Sequence, residues 1–551
     1  MKEEKILNIK FIIMAIICIC IFSVAIVPKG LQNDTFYTIK LGELILENGV
    51  DMQEHFAWHE GLPYTYPHWL YDVIIYLIYS ISGFNGMYIS TIIFTAILGI
   101  VLYLTNVKLT KSTVIPFFMT ILVLYMGQSY FTARAQLLTF ILFILTIYYI
   151  ERFLETNKKR YAIGLLIIPT VIANIHAAVF PFYFVLYLPY IGEWVISLIT
   201  KNGDLITKLL LKSDELEIAK LNKKEELNEK QKSKLELLIK RIEVNKKRLE
   251  EKNNAKSEPY KIIVKPSSNF KWLMLIMVIA AFTGLLTPIG DTPYTYLIHT
   301  MQGNTTGNIS EHMPIVLYDS KYVLGYIFVA MCLISFTKIK IRLSDLFLLG
   351  GLIFLTIMSR RQESMLYFIG VFIIIKIITK LIETYDKDLE NEMLKFLTSI
   401  IGRILIYSIF TICIIFSLKN DKDVEIVSNE NYPIEATQYI KENLDLSEIK
   451  LFNEYNFGSY LLFNDIPVFI DSRADVYDPK FNGWEDDIFR DFINLTAACS
   501  NYEEKFEHYG ITHLIIYENS TLDKVLRLDT NYKELYKDDN FIIYERLSVN
   551  N

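Results

Sequence analysis

The chain has 551 residues, of which 52% are hydrophobic and 21% are charged, and its formal net charge is −6. A chain this apolar is not an ordinary soluble enzyme, so its charges must be confined to loops and separate domains. The five cysteines lie mostly within apolar runs and show no CxxC spacing, which argues against a disulfide framework and against a cysteine metal site.

Apolar runs of about 17 to 25 residues, long enough to cross a hydrocarbon core of roughly 30 Å as helices, alternate with short charged connectors. This pattern is typical of a polytopic α-helical membrane protein. The N-terminal run is not followed by a convincing small-residue cleavage site, so we interpret it as an uncleaved first span. Eleven spans are predicted, near residues 9–28, 85–105, 114–130, 135–154, 161–175, 177–199, 271–288, 321–337, 343–358, 365–382 and 402–418.

Residues 69–82, WLYDVIIYLIYSIS, are short for a crossing and contain Asp72, so they are predicted to form a juxtamembrane or re-entrant helix. When this segment is left out of the count, the basic connectors all fall on one side of the membrane, which the positive-inside rule assigns to the cytoplasm. The N-terminus is then cytoplasmic and the C-terminus extracytoplasmic. The abundance of Ile, Lys, Asn and Tyr suggests an AT-rich genome, and hence a bacterial plasma membrane.

The first outer loop, residues 29–84, concentrates acids and histidines among aromatic residues at the edge of the bilayer. Asp34 lies close to the end of the first span, where a carboxylate could act as a general base on an acceptor while a lipid-linked donor is presented from the membrane. Capping of a juxtamembrane helix is the alternative role for Asp34. Glu54 is a second candidate acid/base group. The loop histidines, His68 among them, match no strong metal signature and are interpreted mainly as solvated residues.

Arginines lie at predicted outer ends of spans, where the positive-inside rule does not require them. Arg134 occurs in YFTARAQ, and Arg360 and Arg361 are adjacent in MSRRQES. Guanidinium groups bind phosphate oxygens in bidentate fashion, so these residues suit a phosphate held at the interface. The alternative is that they extend to lipid headgroups.

Three further polar residues, Asn174, His176 and Glu311, lie at other predicted outer span ends or in outer loops. Polar groups that converge at one depth on one side of a membrane predict a substrate-binding cavity open to that side.

Residues 201–268 interrupt the membrane pattern with a segment dense in Lys and Glu, in which Leu and Ile recur at three- and four-residue intervals. This pattern predicts a solvated cytoplasmic helix or helical hairpin without chemistry of its own. A helix that binds a protein partner is the alternative.

Residues 420–551 are predicted to form a small extracytoplasmic α/β domain that follows the transmembrane domain, residues 1–418. A domain of about 130 residues can bury its own core. Strands are predicted within IKLFNEY, SYLLFNDIPVFID, THLIIYE and FIIYERL, and helices near residues 433–443, 486–495, 502–509 and 522–528.

In the order of these motifs, the chain resembles the GT-C superfamily of integral-membrane glycosyltransferases, which use polyprenyl-phosphate sugars. The nearest likeness is to uncharacterised bacterial members with a soluble C-terminal domain. The likeness covers nearly all of the chain outside the charged insert, and SEH at Ser310–His312 departs from the acid followed by tryptophan that is expected there. The motifs on which the likeness rests are Asp34 followed by KLGELILENGVDMQEHFAWHEGLPYTYPHWLYDVIIY, then TARAQ, NIHAA, TPIGDTPYTY, ISEHMP, SRRQESMLYF and NEYNFGSYLLFNDIPVFIDSRADVY.

The resemblance implies that Asp34 is the catalytic base and that Arg360 or Arg361, with Arg134, engages the lipid phosphate. The implied reaction is an inverting transfer of a sugar from a polyprenyl-phosphate carrier to a glycan, lipid or protein acceptor on the outer face. No cofactor is expected, while a requirement for a divalent metal stays open, and no nucleic-acid partner is indicated. A transporter and a non-catalytic assembly protein are the alternatives. Charges at span ends, rather than midway along spans, count against transport.

Overall fold

The computed structural model describes residues 2–222, 228–255, 261–264, 266–318, 320–420 and 424–547. Most of these residues are helical. The helices are α1 (Lys2–Ile26), α2 (Asn33–Asn48), α3 (Trp69–Thr110), α4 (Val114–Met126), α5 (Gln136–Thr156), α6 (Lys159–Ile175), α7 (Phe180–Val185), α8 (Leu188–Leu221), α9 (Glu229–Ala255), α10 (Phe270–Ala281), α11 (Thr292–Gln302), α12 (Thr305–Asn308), α13 (Lys321–Phe336), α14 (Leu343–Met358), α15 (Glu363–Phe368), α16 (Val371–Tyr385), α17 (Leu389–Thr398), α18 (Ile400–Asn420), α19 (Ile434–Asn443), α20 (Tyr455–Phe463), α21 (Pro479–Asn482), α22 (Ile488–Thr496), α23 (Tyr502–Tyr509) and α24 (Thr521–Leu526).

The chain is a multi-pass membrane protein. Among the described residues, six helical segments are long and apolar enough to cross a membrane, and four shorter apolar helices accompany them. In α1 the residues Ile9, Ile13 and Ile17 are exposed on one face while Phe11 and Cys18 are buried, as expected for a helix that faces lipid on one side and the bundle on the other. The six are Glu4–Ile26, Trp69–Thr110, Gln136–Thr156, Ala177–Ile199, Arg360–Tyr385 and Ile400–Ser417, and the four are Val114–Met126, Phe270–Leu285, Lys321–Phe336 and Leu343–Met358.

The ambiguous segment Trp69–Ser82 is helical and separated from the following span by a kink. Gly83 has φ 58° and ψ −153°, a conformation that strongly favours glycine over residues with a side chain. The part of α3 before the kink packs against α2. At Gly42 of α2 the two backbones approach so closely that a Cβ atom would collide with the carbonyl oxygen of Asp72. Helix α2 and the start of α3 therefore form one tightly packed unit beside the first span.

Within the described residues of the charged insert, two helices pack against each other. The second half of α8 packs against α9, and Asp214, which is almost completely buried, pairs with Arg241 at 2.5 Å. Lys234 pairs with Glu217 in the same interface at 2.5 Å. Residues 223–227, 256–260 and 265 of the predicted insert lie outside the described part of the chain.

The C-terminal region contains a four-stranded sheet in the order β3 (Leu451–Asn453), β4 (His513–Tyr517), β6 (Phe541–Arg546), β5 (Tyr532–Lys537). β3 and β4 are parallel, and the other pairs are antiparallel. A two-residue parallel pair, β1 (Ile262–Ile263) with β2 (Ile341–Arg342), lies elsewhere in the chain.

The strand prediction for SYLLFNDIPVFID was wrong, because Tyr460–Phe463 belong to helix α20. The apolar run there is buried on all sides, and a run of that kind does not distinguish a strand from a helix. Strand β5 was not predicted because its sequence, YKELYK, is largely polar, as befits the edge of a sheet.

Residues 29–84, which were predicted to form the first outer loop and are called the first loop below, share one hydrophobic core with the C-terminal region. This core contains Phe36, Tyr64 and Tyr66 from the first loop. The backbone N–H of Val468 donates to the carbonyl of Phe56 at 3.1 Å, and the N–H of Trp58 donates to the carbonyl of Val468 at 3.2 Å. Residues 56–58 therefore pair with the C-terminal region through a short parallel bridge between Ala57 and Val468. This pairing fixes the C-terminal region against the first loop.

Candidate functional site

A cavity of about 340 Å³ lies where the first loop, the ends of several membrane helices and the C-terminal domain meet. Helix α2 forms one wall, α11 and the segment after α12 form a second, and the C-terminal residues Tyr455 and Ser472–Asp475 form a third. The cavity lining includes five of the candidate residues, Asp34, Arg134, His176, Glu311 and Arg361. Glu54, Asn174 and Arg360 are not among its lining residues.

One arginine bridges two carboxylates in the cavity wall. Nη2 of Arg134 lies 2.7 Å from Oδ2 of Asp34, and Nη1 lies 3.1 Å from Oε1 of Glu311. Burial alone would raise the pKa of Glu311, but the Arg134 guanidinium outweighs burial and holds the pKa below its usual range. Asp34 lies in the first turn of α2 and makes no capping hydrogen bond to the backbone there.

Arg361 is the cavity's available cation. The backbone N–H of Arg361 donates to the carbonyl of Glu311 at 2.9 Å, which holds the backbone of Arg361 against the segment after α12. Within the described ranges its guanidinium forms neither a hydrogen bond nor a salt bridge within 4 Å, although the charges of Glu311 and Asp34 act on it. The neighbouring Arg360 is exposed and contributes its backbone carbonyl to a 3.1 Å hydrogen bond from Tyr130. The two adjacent arginines therefore differ in position.

His176 and Asn174 also differ in position, because His176 lines the cavity and Asn174 does not. His176 is buried and lines the cavity, and its Nδ1 lies 2.8 Å from the hydroxyl of Thr139. Burial lowers the pKa of His176 well below its usual value, and the charge of Arg361 acts in the same direction. Asn174 instead joins helices, because its amide donates to the carbonyl of Leu286 at 3.0 Å and its oxygen accepts from Trp69 at 3.2 Å.

Glu54, expected as a second acid/base group, lies in a fully buried ion pair with Arg473. The guanidinium donates to the Glu54 oxygens at 2.5 and 2.9 Å, and it also pairs with Asp471. Aromatic rings, including that of Tyr64, lie over the same guanidinium. The carboxylate of Glu54 therefore holds the C-terminal domain to the first loop and does not face the cavity.

The sequence predicts that most histidines of the first loop are solvated, but His68 lines the cavity. Its Nδ1 lies 2.7 Å from Oδ1 of the buried Asp72, and its Nε2 lies 3.3 Å from the hydroxyl of Tyr37. Burial alone would lower the pKa of His68, but the Asp72 carboxylate outweighs burial, so that the pKa is raised. In the sequence, the i, i+4 spacing of His68 and Asp72 indicates that these two side chains can pair on one face of a helix.

Asp475 is a second cavity residue that was not predicted. It receives a hydrogen bond from the hydroxyl of Tyr296, and within the residues described here it has no cationic side chain within 4 Å. Burial, together with the charge of Asp478, raises the pKa of Asp475 to about 7. Asp475 belongs to the motif NEYNFGSYLLFNDIPVFIDSRADVY, for which the sequence predicted no function. Residues of this motif form one wall of the cavity.

These features, a helical membrane bundle, an acidic residue just after the first span and a C-terminal region that forms one wall of the cavity, belong to a fold similar to that of a solved membrane oligosaccharyltransferase. The chain is similar to the archaeal oligosaccharyltransferase AglB from Archaeoglobus fulgidus, solved in complex with an inhibitory peptide and a dolichol-phosphate, at 10% identity and a TM-score of 0.52. The match covers 98% of this chain and 74% of AglB.

A second solved structure of the Archaeoglobus fulgidus oligosaccharyltransferase, tethered to an acceptor peptide containing the NVT sequon, gives 11% identity and a TM-score of 0.49, with 92% of this chain and 69% of that chain covered. No protein-family profile matches the chain. No curated protein matches it in sequence.

Proposed function

We propose that this protein is a membrane glycosyltransferase that moves a sugar from a polyprenyl-phosphate carrier to an acceptor on the outer face of the membrane. The observation that carries the proposal is the cavity itself, in which a carboxylate, Asp34, and an available guanidinium, Arg361, lie together beside the bundle. A phosphate-linked sugar needs these two groups, one to accept the acceptor's proton and one to hold the phosphate. The AglB structure, with its bound dolichol-phosphate, supports a lipid-linked donor for this fold.

In the proposed reaction, Asp34 accepts the proton of an acceptor hydroxyl or amide as the acceptor atom bonds to the anomeric carbon. The bond from that carbon to the phosphate oxygen breaks, and its electron pair leaves with the polyprenyl phosphate. Attack opposite to the leaving group inverts the anomeric centre. Arg361, with Arg134, stabilises the negative charge on the departing phosphate.

The donor site can be tested with two adjacent arginines. In vesicles containing the purified protein and a radiolabelled polyprenyl-phosphate hexose, Arg361→Ala should weaken donor use by roughly ten- to a hundredfold, the loss of a charge-assisted contact on the order of 1.5 to 3 kcal/mol. Arg360→Ala is the matched control and should behave like the wild type, because that side chain lies outside the cavity lining. Equal donor use by both variants would exclude Arg361 as the phosphate ligand.

A further inference from the structure

The bridge formed by Arg134 brings together groups from three separate parts of the chain. Asp34 comes from α2, Arg134 from the segment before α5, and Glu311 from the segment after α12. Hard divalent cations bind oxygen ligands, and two carboxylates close together in a cavity wall are typical ligands of such an ion. Here the point of convergence is occupied by a guanidinium.

The surrounding charges do not fit an added metal ion. Across the described ranges, no group of three or more His, Cys, Asp or Glu side chains is arranged to hold one. Of the other acids near the cavity, Asp72 pairs with His68 and Glu54 pairs with Arg473. Asp475 lies on the wall formed by the C-terminal residues and accepts a hydrogen bond from Tyr296. A divalent ion beside Asp34 would also lie close to the two cationic side chains Arg134 and Arg361, which would repel it.

We propose that Arg134 is a built-in cation that takes the position a divalent metal would occupy between Asp34 and Glu311, so that the site functions without a metal. The part of this proposal that concerns catalysis rests on the proposed function. The guanidinium pairs with both carboxylates in the resting site and offsets one of their two negative charges. When the donor is bound, its phosphate oxygens compete with Asp34 for the guanidinium of Arg134.

The proposal predicts that removal of Arg134 creates a metal site. In Arg134→Ala, Asp34 and Glu311 lose the guanidinium between them, and Mn²⁺ can take the vacated position. We expect Mn²⁺ to raise the Tm of detergent-solubilised Arg134→Ala and to bind it in an electron paramagnetic resonance titration. The wild type and the control Arg152→Ala, whose arginine pairs with Glu155 on α5, should show neither effect.

The double variant Asp34→Asn with Arg134→Ala should lose the Mn²⁺ binding, which ties the ion to this site. Stoichiometric Mn²⁺ binding by the wild type that Asp34→Asn abolishes would overturn the proposal, even where Arg134→Ala fails to fold. An Arg134→Ala variant that folds but binds no Mn²⁺ would overturn it as well.

The metal dependence of turnover is a separate test of the proposal. The wild type should consume a polyprenyl-phosphate hexose equally well in EDTA and in Mn²⁺, and loss of activity in EDTA that Mn²⁺ restores would contradict a metal-free site. Absence of turnover under both conditions would count against the proposed function. The Mn²⁺ titrations would still decide the role of Arg134.

Discussion

Most charged side chains in the cavity wall are paired, and the two that lack an ion-pair partner among the described residues, Arg361 and Asp475, carry opposite charges. Arg134 holds Asp34 and Glu311. An unpaired cation suits an anionic ligand such as a phosphate, while an unpaired carboxyl suits a hydrogen-bond donor. The same cavity therefore offers complementary groups to a phosphate-linked donor and to its acceptor.

Asp475 gives a pH dependence with a defined sign. Its folded pKa is raised to about 7 by burial and by Asp478, whereas an unfolded Asp titrates near pH 4. Between about pH 4 and 7 the folded protein therefore binds a proton that the unfolded chain has lost, and the free energy of unfolding falls as the pH rises through this window. Asp475→Asn cannot ionise, so the wild type should lose stability relative to this variant from pH 4 to 7.

The measurement is the Tm of both proteins in detergent across pH 4.5 to 8, with the exposed Asp539→Asn as the control. The control should follow the wild type. A Tm difference between wild type and Asp475→Asn that stays constant with pH would show that Asp475 does not titrate in this range.

At the scale of elements, the ion pair between Glu54 and Arg473 joins the first loop to the C-terminal domain. Both side chains are almost completely buried. Removal of one partner from a buried pair leaves an uncompensated charge and typically costs about 3 to 5 kcal/mol. Glu54→Gln should therefore lower the stability of the protein by an amount of that order.

This loss can be measured as a fall in Tm and as faster release of the C-terminal domain by trypsin in detergent. The matched control is Glu60→Gln, an exposed glutamate in the same loop, which should leave both unchanged. A Glu54→Gln variant as stable and as resistant as the control would argue against the ion pair as the link between these elements.

Helix Tyr502–Tyr509 has the predicted bounds, and Asp34 and Arg361 were recognisable because each stands beside an apolar run. The role of Glu54 was not recognisable, because its partner Arg473 is 419 positions away and no local pattern connects them. Asp475 was missed for the same reason, since its contact with Tyr296 depends on how the C-terminal domain packs on the bundle.

For the whole molecule, we predict that the helical hairpin and the C-terminal domain lie on opposite sides of the membrane. The basic connectors place the hairpin in the cytoplasm, and an odd number of spans then places the domain outside. In a cysteine-free background, a membrane-impermeant maleimide should label the exposed position of Glu507→Cys in intact cells and should label Lys232→Cys only after permeabilisation. The reverse pattern would invert the topology and place the cavity on the cytoplasmic side.

The central claim is that Asp34 acts as the base of a glycosyl transfer. Asp34→Asn keeps the shape of the side chain but loses the basic carboxylate, so transfer from a polyprenyl-phosphate hexose should fall by about 10² to 10⁴, with little change in Tm. Glu47→Gln, an exposed carboxylate on the same helix, is the control and should transfer normally. The most direct measurement is the single-turnover transfer rate of these two variants and the wild type in the same vesicles. A rate for Asp34→Asn within a few fold of the wild type would contradict the account.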